Sequence, residues 1–187
     1  MKAPALLLPL LLALPAAAEP RTYELDPDFS SVHFEVLHFG TSTLRGRLSA
    51  LRGRVTLDPA AGRGEVGVRV PTASVDTGLK VLDARLRQED LLASEAHPEA
   101  FFVARNFRFE GGQPAELRGE FTLRGVGTGL TLRALRFGCR TDDPRGPEVC
   151  GGDFEGSVDR SSFGMTFGLP LVADRVRLLV QVEAVRR

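Results

Sequence analysis

The apolar residues of this chain recur mostly at every second position, and this spacing constrains the fold more than any other feature. The segment from Ser31 to His38 alternates in this way, and so does the final segment from Val176 to Glu183. A period of two is typical of β-strands that turn one face toward a core. Glycine and proline pairs separate the runs: Asp58-Pro59, Gly111-Gly112, Gly125 to Gly129 and Gly151-Gly152. The pattern predicts a mainly β protein of antiparallel strands joined by tight turns.

A single stretch, residues 79–92, favours a helix. There Leu82, Leu86 and the turn at Asp90 recur at helical spacing between strands on either side. Many strands with one short helix are compatible with a sandwich or a closed barrel, and periodicity does not choose between them. A barrel has the advantage that it leaves no open edge strand.

The strand over residues 101–109 has two competing phases. Phe101 and Val103 share a phase with Phe107 and Phe109, whereas Phe102 belongs to the other phase. A β-bulge would let both sets face the interior in turn. The sequence leaves this phase open.

The first eighteen residues have the pattern of a secretory signal peptide. Lys2 is followed by a short apolar stretch and by Ala16-Ala17-Ala18, the small residues that a signal peptidase requires. The apolar stretch is shorter than the about 20 residues that span a bilayer. We therefore predict cleavage near Ala18-Glu19, a single domain over residues 19–187, and a periplasmic or secreted protein.

The net charge of the chain is close to zero. The chain has 24 basic and 24 acidic residues, and loss of Lys2 with the signal segment would leave a net charge near −1. Such a balance provides no electrostatic reason to expect nucleic acid or an anionic membrane surface as the partner.

Two cysteines, Cys139 and Cys150, flank a segment rich in Asp, Pro and Gly. In an exported chain such a pair favours a disulfide at the base of a hairpin loop. The alternative is a redox pair, and the spacing fits no zinc or thioredoxin-like pattern. Whether the two thiols are oxidised stays open at this point.

Motifs for catalysis or cofactors are weak. The glycine pattern of residues 62–67 follows a polar turn and precedes a strand, so it indicates a hairpin and not a dinucleotide site. The histidines His33, His38 and His97 show no metal-binding spacing. His33 is expected to face solvent, while His38 shares the apolar face of its strand. His38 is either a hydrogen-bonded residue at a strand end or a polar group near a cavity mouth.

Several blocks along the chain resemble the YceI-like polyisoprenoid-binding family. The first block runs from Leu25-Asp26-Pro27 to His38, and Ser74-Val75-Asp76-Thr77-Gly78 is similar to the second. Gly119 to Val126 and Asp159 to Met165 are similar to later blocks. The chain departs from the usual pattern at Phe29, Leu82, Arg85 and His97 and in the insertion between the cysteines.

The resemblance implies a single lipocalin-like, antiparallel eight-stranded β-barrel that holds a polyisoprenoid chain along its axis. It implies a binding protein, not an enzyme, that transports or stores a quinone-like or prenyl-phosphate lipid without a metal or cofactor. Transient membrane contact and a homodimer are compatible with this role. The residues expected to line the lumen are Val32, Phe34, Val36, His38, Val55, Leu57, Val68, Phe102, Phe121, Leu123, Leu178 and Val180.

Two alternatives remain at this stage. The barrel could be an enzyme that holds a smaller isoprenoid-like substrate, with His38 as acid or base. It could also be an interaction module with a solid core that acts through loops such as residues 141–149. The three hypotheses differ in whether the interior is hollow and in which polar groups line it.

Overall fold

The computed structural model describes residues 19–141 and 143–187, so the predicted signal segment, residues 1–18, lies outside the described residues. Within them the chain forms ten strands and one α-helix. The elements are β1 (Arg21–Leu25), β2 (Ser31–His38), β3 (Ser42–Leu48), β4 (Arg52–Asp58), β5 (Arg63–Pro71), α1 (Lys80–Leu86), β6 (Glu99–Glu110), β7 (Gln113–Leu123), β8 (Val126–Arg140), β9 (Val149–Asp159) and β10 (Val172–Arg186).

Eight of the strands form a closed antiparallel barrel. Their order is β1-β4-β5-β6-β7-β8-β9-β10, and pairing of β1 with β10 closes the ring. The predicted eight-stranded barrel is therefore confirmed. Closure pairs both edges of every strand in the ring, which removes the unpaired donors and acceptors of an open sheet.

The other two strands, β2 and β3, form a hairpin that extends the wall of the barrel. Strand β10 is long enough to pair with β1 through Ala184–Arg186 and with β2 through Val172–Gln181. On the far side of the hairpin, Arg47 and Asp76 exchange two backbone hydrogen bonds of 2.9 Å. The segment that leads to α1 therefore packs against β3 where no strand does.

The two ends of the barrel differ in their connections. At one end, called the rim end below, lie the β2–β3 turn, the segment 72–98 with α1, the β7–β8 turn and the β9–β10 connection, residues 160–171. At the other end, called the closed end, lie the tight β4–β5 and β6–β7 turns and the β8–β9 loop. The longer connections at the rim end are the ones that surround a cavity.

A β-bulge settles the phase of residues 101–109. The pairing of β6 with β7 shifts register between Ala104 and Asn106. Before the shift Phe102 is buried and Phe101 is exposed; beyond it Phe107 and Phe109 turn toward the interior. The bulge thus places Phe102 of one phase and Phe107 and Phe109 of the other phase on the interior side.

The helix is shorter than predicted. It ends at Leu86 and not at Leu92, because the chain then makes a series of turns in which the Leu92 amide donates to the Leu86 carbonyl. Ala93 adopts a left-handed conformation with φ of 49°. These turns direct Leu91 and Leu92 into the barrel, which a continued helix would not do for both residues.

Of the predicted turns, one is shorter than expected and one is not a turn. The β7–β8 connection uses only Arg124 and Gly125, both with positive φ, and Gly127 and Gly129 lie within β8. Gly151 and Gly152 are not a turn but lie within β9. A Cβ at position 152 would lie 2.6 Å from the Arg136 carbonyl oxygen, so this glycine permits close strand packing. The hairpin predicted from residues 62–67 is confirmed by the β4–β5 pairing.

Candidate functional site

The barrel encloses an apolar cavity of about 360 Å³ that opens at the rim end. Its walls are the inward-facing residues of the strands, which alternation places at every second position. Ligand pockets in proteins span about 300–1,000 Å³. The interior is therefore hollow enough to hold a slim molecule.

Ten of the twelve residues predicted to line the lumen do line this cavity. They are Val32, Phe34, Val36, His38, Val68, Phe102, Phe121, Leu123, Leu178 and Val180. The other two, Val55 and Leu57, also face the interior but lie outside the lining, packed in the core toward the closed end. Whether any of the twelve contacts a ligand stays a prediction.

Two aromatic side chains pack in the core toward the closed end, beyond the residues that line the cavity. The rings of Phe107 and Phe109 stack with their centroids 6.2 Å apart. The Phe107 ring occupies the space beside Gly64, where a Cβ would lie 2.3 Å from a ring carbon. Leu57 and Tyr23 are buried in the same core cluster. Glycine at position 64 thus allows the Phe107 ring to pack against β5.

The rim-end lining is the part that the sequence prediction missed. It comes from the segment after β5, which provides Leu82, Leu86, Leu91 and Leu92, and from the β9–β10 connection, which provides Met165 and Phe167. Helical spacing of Leu82 and Leu86 was a signal for an apolar face. Nothing in the sequence indicated that this face would cover the mouth of a barrel.

The lining contains four polar side chains, and two of them are committed to the backbone. Thr72 is fully buried and its hydroxyl donates to the His97 carbonyl over 2.8 Å. Arg160 is 6% exposed and its guanidinium donates to four carbonyl oxygens. The acceptors belong to Met165, Phe167, Val172 and Ala173, at 2.7–2.9 Å.

Arg160 is therefore the organiser of the β9–β10 connection. Buried carbonyl groups need donors, and one planar guanidinium supplies them to two residues of the connection and to the first two residues of β10. Burial lowers the pKa of Arg160 from its ordinary value. Asp174, whose oxygens accept from the Ser161 amide and hydroxyl, is the nearby countercharge. The arrangement fixes the loop that carries Phe167 to the cavity mouth.

Arg85, the third polar lining group, is paired with a carboxylate at the mouth. Its two terminal nitrogens donate to the two oxygens of Asp90, each over 2.6 Å. These bonds lower the pKa of Asp90 and raise the pKa of Arg85. The guanidinium carbon also lies 4.2 Å from the centroid of the Phe167 ring. The pair is electrically neutral where it borders the cavity.

His38, the fourth, lies at the end of β2 and lines the cavity, as its strand phase predicted. Its ring meets the Phe39 ring edge-on at 4.5 Å between centroids. His33 is exposed, as expected, and its Nε2 lies 3.3 Å from the Ser31 hydroxyl. His38 is thus the imidazole that a molecule in the cavity can reach.

The cysteines form a disulfide that joins β8 to β9 at the closed end, away from the cavity mouth. The prediction of a bridge at the base of the hairpin loop is confirmed. Among the described residues, the group of side chains with metal-ligand geometry is Cys139, Glu148 and Cys150. Both sulfurs are bonded to each other, so this group does not offer thiolates to a metal. No helix within the described residues is long and apolar enough to cross a bilayer.

Comparison with known proteins gives the family. The model of the YceI-like domain matches residues 23–184, which includes nearly all of the barrel. The chain belongs to the YceI-like domain family. A UPF0312 protein of Pectobacterium carotovorum is 31% identical over 95% of this chain and 93% of its own. A UPF0312 protein of Pseudomonas aeruginosa is 31% identical over 88% and 87%.

Solved structures share the YceI-like fold. BcnA of Burkholderia cenocepacia superposes with a TM-score of 0.70 at 21% identity, over 85% of this chain and 98% of BcnA. The YceI protein of Campylobacter jejuni gives 0.68 at 22% identity, over 81% and 90%. A polyisoprenoid-binding domain of Saccharophagus degradans gives 0.63 at 16% identity, over 88% and 98%. These likenesses establish the architecture of the barrel.

Proposed function

We propose that this protein is a carrier or store for a long-chain polyisoprenoid lipid, which it holds in the barrel lumen after export to the periplasm or beyond the cell. The observation that carries the proposal is the cavity, which is apolar along its walls and opens at one end. The polyisoprenoid-binding domain with the same fold supports the ligand class. The disulfide supports export, because such bonds persist in oxidising compartments.

The energetics fit a carrier that must release its ligand. Moving one CH₂ group from water into an apolar site yields about 0.8 kcal/mol. A prenyl tail resting in a membrane is already out of water, so transfer into the barrel changes its free energy little. A tail can therefore enter and leave, while its passage through water without the barrel would be strongly unfavourable.

The polar groups at the rim bear on the head of the lipid. Four donors of Arg160 and the hydroxyl of Thr72 are occupied by backbone carbonyls, and Arg85 is neutralised by Asp90. His38 is left to hydrogen-bond a head group. This set favours a neutral, quinone-like head over a phosphate, because a phosphate would have to compete with Asp90 for Arg85.

The composition of the lining also favours binding over catalysis. Among the described residues, the cavity wall has no carboxylate, serine, cysteine, lysine or tyrosine to act with His38. General acid–base and nucleophilic chemistry require such a partner within hydrogen-bond reach. The hollow interior likewise provides no support for a module with a solid core.

Extraction of the purified protein tests the proposal directly. Organic extraction and mass spectrometry are expected to detect a co-purifying isoprenoid, and protein stripped of lipid is expected to take up an added prenol or isoprenoid quinone. A barrel that is consistently empty and takes up neither compound would overturn the proposal.

A matched pair of variants locates the site. Phe121 lines the cavity, whereas Phe101 of the neighbouring strand points outward and is 38% exposed. Phe121→Asp is expected to abolish uptake, since it would put a charge in the apolar lumen. Phe101→Asp introduces the same charge on the outer wall and is expected to keep full uptake. Circular dichroism of both variants verifies that the barrel remains folded.

A further inference from the structure

Large apolar side chains are exposed around the mouth of the cavity. Six of them, called the rim patch here, are 48–86% exposed. They come from the β2–β3 hairpin, the start of α1 and the β9–β10 connection, and are Leu37, Phe39, Leu79, Val81, Phe167 and Leu171.

Contacts between these segments show that the patch surrounds one opening. The Phe39 amide donates to the Leu171 carbonyl over 2.7 Å, which joins the hairpin turn to the β9–β10 connection. The Phe167 ring lies against Arg85 of α1. Leu44, Leu82 and Val172, from the same three segments, line the cavity. The rim patch and the cavity wall are thus one continuous apolar surface.

Two of the three segments that form the rim patch carry no charge. The stretches 37–44 and 161–172 contain no Asp, Glu, Lys or Arg, although 26% of the chain is charged. The third segment, around α1, does carry charged residues, among them Lys80, Arg85 and Asp90. Contiguous exposed apolar surface on a protein often marks a site of interaction with a membrane, a partner or a ligand.

One cation stands within the patch. Lys80, the one lysine of residues 19–187, is exposed between Leu79 and Val81. In the adjoining segment, Asp83 is buried and accepts from the Thr77 amide and hydroxyl, and Asp90 pairs with Arg85. Glu89, Asp90 and Glu95 are exposed carboxylates of the same segment. A lysine among exposed apolar residues suits an interface with anionic head groups, because its stem lies along acyl chains while its ammonium reaches phosphates.

We infer that the rim patch docks on the surface of a lipid bilayer, with the cavity mouth turned toward the acyl chains. The inference rests on the proposed function, since a polyisoprenoid can then move between bilayer and lumen without exposure to water. A bilayer fits better than a protein partner because the patch is formed by three separate segments around an opening and is continuous with a lumen that is apolar like the membrane interior.

Flotation with vesicles tests the inference. The purified protein is mixed with vesicles of phosphatidylethanolamine and phosphatidylglycerol, and the fraction that rises with them gives a partition coefficient. The double variant Phe39→Ser/Leu171→Ser is expected to lower this coefficient about tenfold or more, given the value of burying two large apolar side chains. Lys80→Gln is expected to lower it about fivefold, and to have no effect with neutral phosphatidylcholine vesicles.

The matched control removes exposed apolar residues from the wall instead of the rim. Phe101 and Val103 are 38% and 45% exposed on the outside of β6, and Phe101→Ser/Val103→Ser is expected to float as the unmodified protein does. No flotation of the unmodified protein, or an equal loss in both double variants, would overturn the inference. So would a rim variant that only converts a dimer to a monomer in light scattering, since the patch would then be a subunit interface.

A second readout separates this inference from the proposed function. The rim double variant should still take up a prenol delivered in detergent, because its lumen is unchanged. Phe121→Asp should still float with vesicles while taking up no lipid. If the unmodified protein takes up no lipid but its flotation depends on the rim patch, the carrier proposal fails and the docking surface remains.

Discussion

Arg85 and Asp90 form a two-pronged ion pair at the mouth of the cavity, with both nitrogen–oxygen distances at 2.6 Å. Under the proposed function, the head of the lipid would lie near this pair. The Phe167 ring covers one face of the guanidinium. Asp90 therefore neutralises Arg85 at the mouth.

We expect Asp90→Asn to shift the preference of the barrel toward anionic heads. Release of Arg85 from its carboxylate should raise affinity for a polyprenyl phosphate about fivefold, the scale of a partly exposed ion pair, and leave affinity for the corresponding prenol unchanged. Competition binding with the two lipids measures the ratio. Glu89→Gln removes a neighbouring exposed carboxylate as the control, and an equal gain in that variant would contradict the role of Asp90.

The same pair should be insensitive to mild acid. Its hydrogen bonds lower the pKa of Asp90 in the folded protein below the unfolded value of about 3.9. Stability from a carboxylate with a lowered pKa is complete above the unfolded value and is lost as pH falls through the folded value. The difference in the free energy of unfolding between the unmodified protein and Asp90→Asn should therefore be constant from neutral pH to about pH 5, and a change within that range in denaturant titrations would count against the pair.

Arg160→Lys should destabilise the protein and impair lipid uptake together. A lysine cannot donate in the planar geometry that serves four carbonyl oxygens, so several buried acceptors would lose their donors. We expect a loss of about 2–4 kcal/mol in the free energy of unfolding, measured by denaturant titration. Arg175→Lys alters an exposed arginine nearby and should change stability by less than about 0.5 kcal/mol. Equal effects of the two variants would refute the assigned role of Arg160.

Alkaline unfolding should follow the ionisation of Tyr23, the single tyrosine of the chain. Its side chain is 2% exposed and its hydroxyl donates to Glu148 over 2.7 Å. Burial is the larger cause and that hydrogen bond the second cause of a raised pKa of Tyr23. Stability should thus be complete below the unfolded pKa of about 10 and decline as pH rises through the folded value.

The phenolate absorbance of the chain reports this residue alone, so its titration midpoint gives the pKa directly. A midpoint at or below about 10 while circular dichroism still shows a folded barrel would contradict the prediction. In Tyr23→Phe, the decline of stability with alkaline pH should be weaker.

Reduction of the disulfide should affect stability and not lipid binding. Closing a loop between Cys139 and Cys150, 11 residues apart, is worth about 3 kcal/mol in the chain-entropy model. Cys139→Ser/Cys150→Ser should therefore unfold at lower denaturant concentration. Because the bridge lies at the closed end, prenol uptake below the transition should match that of the unmodified protein, and a parallel loss of uptake would show that the closed end influences the lumen.

The inner faces of the strands were predictable because a period of two ties each residue to one side of a sheet. Phe34 and Leu178 face the cavity for that reason alone. The period of two does not give the position of a residue along the barrel axis. Val55 and Leu57 have the correct phase but lie toward the closed end, where Phe107 and Phe109 pack after the bulge. Alternation has no information about depth.

The rim could not be predicted from local patterns. The four carbonyl acceptors of Arg160 lie 5 to 13 residues further along the chain, in the β9–β10 connection and at the start of β10. Leu91 and Leu92 enter the lining because the helix ends early, and that end depends on backbone turns stabilised by the rest of the mouth, including the bond from Arg124 to the Leu91 carbonyl. Such features are set by tertiary contacts that no window of sequence contains.

The stacked phenylalanines at one end and the opening at the other make the lumen a tube with a single exit. In a tube of this kind, affinity depends on the length of tail that fits inside and not on the full length of the lipid. Successive isoprene units should each strengthen binding until the tail reaches the rings, and further units should add little because they extend beyond the protein. Members of a homologous series of prenols would then separate into a length-dependent and a length-independent regime, with the boundary set by the depth of the cavity below His38.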